Sequence, residues 1–237
     1  MTADGPALPG RLILAEQFGP TVQGEGPSAG QLAVFVRLSR CNLSCSWCDT
    51  PYTWDWAHHD PRQESRRVPV GEVISWVLSI PAPLLVITGG EPLIQQPAVT
   101  ALAAGARLAG RRVEIETNGT IAPTAALTSV TDQFNVSAKL GNSGQRTADR
   151  INGSALAAFA ATGKAVFKFV AADVADLDEI TALIPLLGGR PVWVMPEGTT
   201  EEAVLRGLQA LAGPVIARGW NLSCRLHVLA WGDQRGR

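Results

Sequence analysis

Three cysteines, Cys41, Cys45 and Cys48, stand in the pattern C-x3-C-x2-C within Cys41-Asn42-Leu43-Ser44-Cys45-Ser46-Trp47-Cys48. Thiols this close together read as metal ligands or catalytic groups in a reducing compartment, where a disulfide framework is not expected. Three thiolates on one loop can hold three irons of a [4Fe–4S] cube. Iron–sulfur ligation ordinarily takes four cysteines, so a compact set of three implies a fourth iron open to a small molecule. The remaining cysteine, Cys224, lies far downstream in an apolar run and reads as a small buried hydrophobe. A zinc site is the competing chemistry. Structural zinc takes four ligands, and His58 or His59 would supply the fourth, but that reading leaves the other motifs of the chain without a role.

Those motifs are three. Thr88-Gly89-Gly90-Glu91-Pro92 carries a glycine pair that lets a backbone approach a ligand closely; Glu91 and Pro92 are expected to shape the turn. A plain strand-to-helix turn would also suit Gly-Gly. Ser137-Ala138-Lys139 puts a lysine at a strand end, where a solvated lysine is the alternative. Phe18-Gly19-Pro20-Thr21-Val22-Gln23-Gly24-Glu25-Gly26 precedes the cysteines, and Arg37 sits in the apolar run between them. An arginine pointing from a barrel strand is costly if unpaired, which favours a ligand role. Its planar fork matches a carboxylate.

The elements that must position these residues read as alternating strands and helices. Short apolar runs predict buried strands at Val34–Leu38, Leu84–Ile87, Val113–Ile115, Phe134–Val136, Val166–Val170 and Val192–Met195. Ala/Leu-rich segments with few breakers predict helices at Glu72–Leu78, Ala98–Leu108, Ser154–Ala161, Val174–Leu183 and Glu201–Leu211. The alternation predicts an α/β fold with a parallel sheet covered by helices. A barrel and a flat doubly wound sheet share this pattern. In both, sites form at the C-terminal ends of strands, which is where Arg40–Thr50, Thr88–Pro92, Glu116–Gly119 and Ser137–Lys139 fall. The segment Tyr52–Val68, rich in Trp, His and Arg, is long for a connection and is expected to fold over the site.

The cysteine pattern after the first such strand, followed by Gly-Gly-Glu-Pro after the second, resembles the radical S-adenosylmethionine (SAM) superfamily. The resemblance spans about Val34 to Met195 and implies a partial (β/α)6 barrel in one domain, residues 1–237, with a loose start at 1–10, a cluster loop at 39–50 and a C-terminal extension from about 196. It implies that SAM chelates the open iron of a [4Fe–4S] cluster held by Cys41, Cys45 and Cys48, and that reductive cleavage gives a 5′-deoxyadenosyl radical. Thr21-x-Gln23-Gly24-Glu25-Gly26, Arg37, Cys48-Asp49-Thr50, Met195-Pro196-Glu197-Gly198 and Leu226-His227 further resemble the 7-carboxy-7-deazaguanine synthases. That likeness implies ring contraction of 6-carboxy-5,6,7,8-tetrahydropterin with loss of ammonia, SAM being regenerated, on a route to queuosine in tRNA and deazapurine metabolites. Val22, Gln23, Gly24, Glu25, Arg37 and Thr88 would bind the pterin. Trp47, Cys48, Asp49, Gly90, Ser137, Ala138 and Lys139 would bind SAM, and Thr50 would hold Mg2+. The family often has Pro at the middle position of Ser137-Ala138-Lys139, so only backbone contacts carry over to Ala138.

Composition bounds the rest. The chain has 237 residues, 46% hydrophobic, with a net charge of −1. A chain of this size buries enough apolar surface to fold without disulfides. Without a run of Lys or Arg, neither nucleic acid nor a membrane surface is an expected partner. No stretch approaches the roughly 18 apolar residues of a membrane span, and the N-terminus lacks the pattern of a secretory signal; a cytoplasmic protein is expected. The resemblance implies a homodimer reduced by flavodoxin or ferredoxin. The rival within the superfamily is an activase that makes a glycyl radical on a protein partner; outside enzymes it is a zinc-stabilised binding module.

Overall fold

Residues 33–38 alternate between two destinations. Val34, Val36 and Leu38 belong to the main hydrophobic core, whereas Ala33 and Phe35 pack in a second cluster with Leu84, Val86 and Phe18. This period of two marks a strand with an apolar outer face and a distinct inner face. In the computed structural model, which describes residues 10–236, it is one strand of a nine-stranded sheet. The strands are β1 (Arg11–Val22), β2 (Leu32–Leu38), β3 (Arg66–Pro69), β4 (Leu84–Gly89), β5 (Arg112–Thr117), β6 (Gln133–Val136), β7 (Ala165–Ala171), β8 (Val192–Pro196) and β9 (Asn221–Leu222), in the order β3-β1-β2-β4-β5-β6-β7-β8-β9.

From β2 to β9 all neighbours in this order are parallel, while β1 and β3 run antiparallel at one edge. The six expected strands are β2, β4, β5, β6, β7 and β8, and β3 and β9 remain at opposite edges of an unclosed sheet. This is the expected partial barrel rather than a closed one. Helices Val70–Ser79, Gln96–Leu108, Ala125–Val130, Gly153–Ala161, Asp176–Leu183 and Glu201–Ala217 accompany the strands. Ile87, Ile115, Phe134, Phe167 and Val194 of the strands join Val73, Leu102, Leu127, Phe159, Ile180 and Leu211 of the helices in the main core. Burying each such side chain contributes about 1.5–3 kcal/mol. The outer core can therefore support an inner face that is largely polar.

Three strands escape a reading by apolar runs. β1 contains Gly19, Pro20 and several half-buried polar residues, β3 is two arginines followed by Val-Pro, and β9 is two residues long. β3 and β9 are edge strands and half solvated, so their composition need not be apolar; β1 lies between β3 and β2, and its pairing with β2 shifts register around Gly19-Pro20. The stretch at 52–68 contributes a turn (Pro51–Thr53), a single helical turn (Pro61–Glu64) and most of β3. Of the expected loose start at 1–10, only the exposed Gly10 lies within the described residues. The segment after β8 carries the helix Glu201–Ala217, β9 and the helix Leu226–Trp231, and it returns to the mouth of the barrel.

Register sets the site. β2 and β4 pair Arg37 with Thr88 and Leu38 with Gly89, which places the cysteine loop beside the glycine pair. Below the site, fully buried Glu114 accepts from Asn135 (2.9 Å) and pairs with Arg112 (2.7 Å), filling the inner floor with fixed polar groups.

Candidate active site

The cysteine loop leaves β2 at Leu38 and is tied down by its neighbours. A Cβ on Gly90 would stand 2.2 Å from the Arg40 carbonyl oxygen and 2.9 Å from Cys41 Cβ, so only glycine allows β4 to end so close to the loop. Gly90 N donates to Leu38 O (3.0 Å) and Glu91 N to Arg40 O (2.8 Å). The Gly90 N–H is therefore not free for a ligand; what remains there for a ligand's amino group is carbonyl oxygen. Glu91 is fully buried and does shape the turn. It accepts from Leu93 N (2.9 Å), Thr117 Oγ1 (2.9 Å) and Asn118 N (2.7 Å). Asn118 Nδ2 in turn donates to Asn42 Oδ1 of the cysteine loop (2.9 Å). Burial pushes the Glu91 carboxyl up, against the hydrogen bonds that favour its charged form.

One cavity at the C-terminal ends of the strands gathers most of the expected residues. Cys41, Cys45, Trp47, Cys48, Asp49, Thr50, Gly90, Ser137 and Lys139 line it, as do Val22, Gln23, Gly24, Glu25, Arg37 and Thr88. Ala138 does not. Its side chain is 1% exposed and packs in the main core, because alternation along the chain points it away from Ser137 and Lys139. Lys139 Nζ donates to Ser137 Oγ (3.0 Å) and lies 5.5 Å from the Trp47 ring centroid, within cation–π range.

The donor set fits an iron–sulfur cluster. All three thiols are free and share the cavity wall. Burial pushes the Cys41 thiol up to about 11 and raises Cys45 as well; a bound cation would replace those protons. A zinc site is not assembled. His58 is bonded to Asp55 at 2.7 Å with its side chain 79% exposed, and neither it nor His59 lines the cavity. Among the described residues, no three His, Cys, Asp or Glu side chains are grouped to hold one metal ion.

The opposite wall is a network of charges, several of which the sequence reading missed. Glu25 forms ion pairs with Lys168 and, at 3.2 Å, with Arg225. Burial alone would raise its carboxyl; the two cations override this and hold it well below the usual carboxylate range. Glu25 is thus a carboxylate already oriented by two cations. Glu116 accepts from Thr88 Oγ1 (2.7 Å) and Gln23 Nε2 (3.1 Å). Arg37 lines the cavity but is not unpaired, as supposed, since its Nε donates to Glu16 (3.0 Å). Neither of its Nη groups bonds to a described residue.

Glu116, Lys168, Glu197, Arg225 and His227 complete this wall. Lys168 was detectable, because a lone charge inside Ala-Val-Phe-Lys-Phe-Val-Ala raises the same question that Arg37 did. His227 belongs to the Leu226-His227 segment of the family resemblance, whereas no local pattern marks Arg225. His227 packs against Gly24, where a Cβ would stand 2.0 Å from its Nδ1, and burial lowers the proton affinity of the ring. Tyr52–Val68 reaches the cavity through Trp54, whose Nε1 donates to Cys48 Sγ (3.3 Å). Cys224 is half-buried and outside the cavity lining.

Comparison with known proteins agrees with this geometry. Residues 36–158 match the family model described as the Radical SAM superfamily. A protein of Pyrobaculum aerophilum named 7-carboxy-7-deazaguanine synthase is 34% identical over 92% of this chain and 94% of its own. One of Halobacterium salinarum with the same name is 35% identical over 97% and 93%. The crystal structure of QueE from Escherichia coli superposes with a TM-score of 0.70 at 26% identity, covering 92% of this chain and 95% of that one. At this identity, over nearly the full length of both chains, the protein belongs to the 7-carboxy-7-deazaguanine synthase family within the radical SAM superfamily.

Proposed function

We propose that this chain converts 6-carboxy-5,6,7,8-tetrahydropterin to 7-carboxy-7-deazaguanine with loss of ammonia, in 7-deazapurine biosynthesis. The observation that carries the reading is a single cavity with three free cysteines on one wall and oriented carboxylates and cations on the other. Cys41, Cys45 and Cys48 would hold the [4Fe–4S] cluster, and Trp47, Asp49, Gly90, Ser137 and Lys139 would line the SAM subsite. When bound, cluster and SAM supply a carbon-centred radical that removes hydrogen from C6 of the pterin.

The chain's own residues bind, orient and exclude water. The Gln23 amide and the Val22 and Gly24 backbone offer donors and acceptors to the amide-like edge of the pterin. Glu25 accepts a ring N–H without first having to find its orientation, because Lys168 and Arg225 already hold it. Thr88 Oγ1 can also accept, since its proton is directed to Glu116. Arg37 faces the substrate carboxylate with both Nη groups while Glu16 fixes its Nε. The test is anaerobic reconstitution, then incubation with SAM, reductant and the carboxytetrahydropterin, with mass detection of product. Cleavage of SAM with no change in the pterin would overturn the substrate assignment.

Arg37→Ala is expected to weaken binding of the carboxylated pterin by about 2–5 kcal/mol, the cost of removing one partner of a desolvated charge pair. SAM cleavage without substrate should persist. Calorimetric titration with 6-carboxypterin checks this, and unchanged affinity removes Arg37 from the site.

Thr50 is the proposed protein ligand of a Mg2+ ion. It occupies the N-cap of the turn Pro51–Thr53, yet its hydroxyl caps no backbone N–H, and the residue lines the cavity. Magnesium keeps few protein ligands and takes the rest from substrate and water. Thr50→Ala should lose the stimulation by Mg2+ that wild type shows after chelation, with apparent Mg2+ affinity at least about tenfold weaker. An identical Mg2+ titration curve for the two proteins would exclude the role. The same reading carries a homodimer, a flavodoxin or ferredoxin donor and a cytoplasmic location. No described helix is long and apolar enough to cross a membrane.

A further inference from the structure

Arg225 joins three parts of the chain that are far apart in sequence. Its Nη1 donates to Gly198 O (2.7 Å), its Nε to Glu25 (3.2 Å) and its Nη2 to Asp49. The residue is 6% exposed. Glu25 belongs to the turn after β1 that also carries Gln23, and Asp49 follows Cys48 directly in the cysteine loop. The next residue strengthens the link to the first of these, because Leu226 N donates to Gly24 O (2.8 Å). The segment 225–226 is thus latched to the pterin end of the cavity by two hydrogen bonds and to the cluster end by one ion pair.

A guanidinium is planar, and its three bonds lie in one plane with fixed angles between them. A small rotation of the Glu25 carboxylate toward a ligand must then be answered at Asp49, and a shift of the cysteine loop must be answered at Glu25. Solvent competes little at the Arg225–Glu25 end, where the side chains are 7% and 14% exposed, while the Asp49 side chain is 37% exposed. A coupling between two sites requires an element that each ligand biases. Here that element is a single side chain.

We propose that Arg225 is a positioning residue that couples the pterin end of the cavity to the cluster loop, so that SAM and the carboxylated pterin bind cooperatively. The inference rests on the function proposed above. Lys168 holds the other oxygen of Glu25, so replacing the guanidinium by a single-point cation leaves the charge of the pterin end compensated. Arg225→Lys is therefore the informative variant, because Arg225 itself is not among the residues that would line the SAM subsite.

The experiment is anaerobic calorimetry on the reconstituted protein, titrating 6-carboxypterin with and without saturating SAM, and SAM with and without 6-carboxypterin. In wild type each ligand is expected to tighten the other by the same factor, about tenfold or more. In Arg225→Lys the factor should fall to near one while SAM alone still binds, with iron content confirming that the cluster is intact. The electron paramagnetic resonance signal of the reduced cluster with SAM should shift when 6-carboxypterin is added to wild type and not when it is added to Arg225→Lys. A merely structural role would lower thermal stability without removing the coupling. Binding to wild type without coupling, or coupling retained in Arg225→Lys, overturns the inference alone. Failure of 6-carboxypterin to bind wild type at all overturns the functional reading, and the inference with it.

Discussion

Replacing any one of Cys41, Cys45 or Cys48 with Ala is expected to abolish the reconstituted [4Fe–4S] spectrum and all SAM cleavage. Each thiolate would hold one iron, and the loop offers no fourth cysteine to take its place. The surroundings cannot compensate either. Thr50 Oγ1 lies 3.7 Å from Cys48 Sγ and Trp54 Nε1 lies 3.3 Å from it, but these are an alcohol and an N–H donor, not soft anionic ligands. Cys224→Ala should leave iron content, the broad absorbance near about 400 nm and turnover unchanged. Iron and sulfide assay after anaerobic reconstitution checks all four variants. A full cluster in the Cys45→Ala protein, or loss of iron confined to Cys224→Ala, would show the ligand set to be wrong.

Lys168→Met should destabilise the chain by about 3–5 kcal/mol, the range for breaking a buried ion pair by deleting one partner. Lys168 is 5% exposed and stands between two carboxylates, in contact with Glu25 and 3.9 Å from Glu116. Met fills similar volume, so the loss is electrostatic: Glu25 retains only Arg225, and Glu116 loses its nearby cation. The sign of the pH dependence follows. Glu25 is held below its ordinary value of 4.5, so its share of the stability is present above that pH and is lost as pH falls toward the folded value. Burial would lower Lys168, but Glu25 and Glu116 raise it above its ordinary 10.5, so its share is present below that pH and is lost as pH rises through the folded value. The difference between wild type and Lys168→Met should therefore be level from about pH 5 to 9 and narrow outside that window. Urea unfolding of the cluster-free proteins across pH measures it. A difference that grows as pH falls below 4 would place the stabilising charge elsewhere than on Glu25.

The substrate-facing wall and the cluster wall differ in how much of them could be read in advance. The cluster wall is local. Cys41, Cys45 and Cys48 lie on one loop, and the residues that tighten it, Gly90 and Glu91, open the next βα connection. Local spacing and two neighbouring strand ends suffice to place such groups together, because parallel strands adjacent in order present their C-terminal ends side by side. The six parallel strands were legible for a related reason: their outer faces are buried by helices and supply the regularly spaced apolar residues of short runs, even where the inner face carries Glu114, Asn135 or Lys168.

The other wall is made by long-range return, and sequence pattern is blind to it. Gln23 and Glu25 follow β1, a strand between β3 and β2 whose mixed composition hides it. Lys168 stands on β7. Arg225 arrives from a segment that lies 200 positions from Glu25 in the chain and makes contact with it only through tertiary folding. The Ala138 side chain faces the main core while its neighbours on either side face the cavity, and only the fold reveals which face of a strand end is inside.

What the sequence determined by itself was the chemistry of the cofactor: the number, type and spacing of the thiols, and the alternation of elements that brings a glycine pair beside them. These are properties of short segments, where covalent geometry limits the possibilities. Only the tertiary structure decided which charges face which. Arg37 is paired with Glu16, Glu25 with Lys168 and Arg225, and Thr88 and Gln23 with Glu116. An isolated charged residue in a sequence carries no mark of its partner, and a buried charge is stable only once that partner has been folded against it.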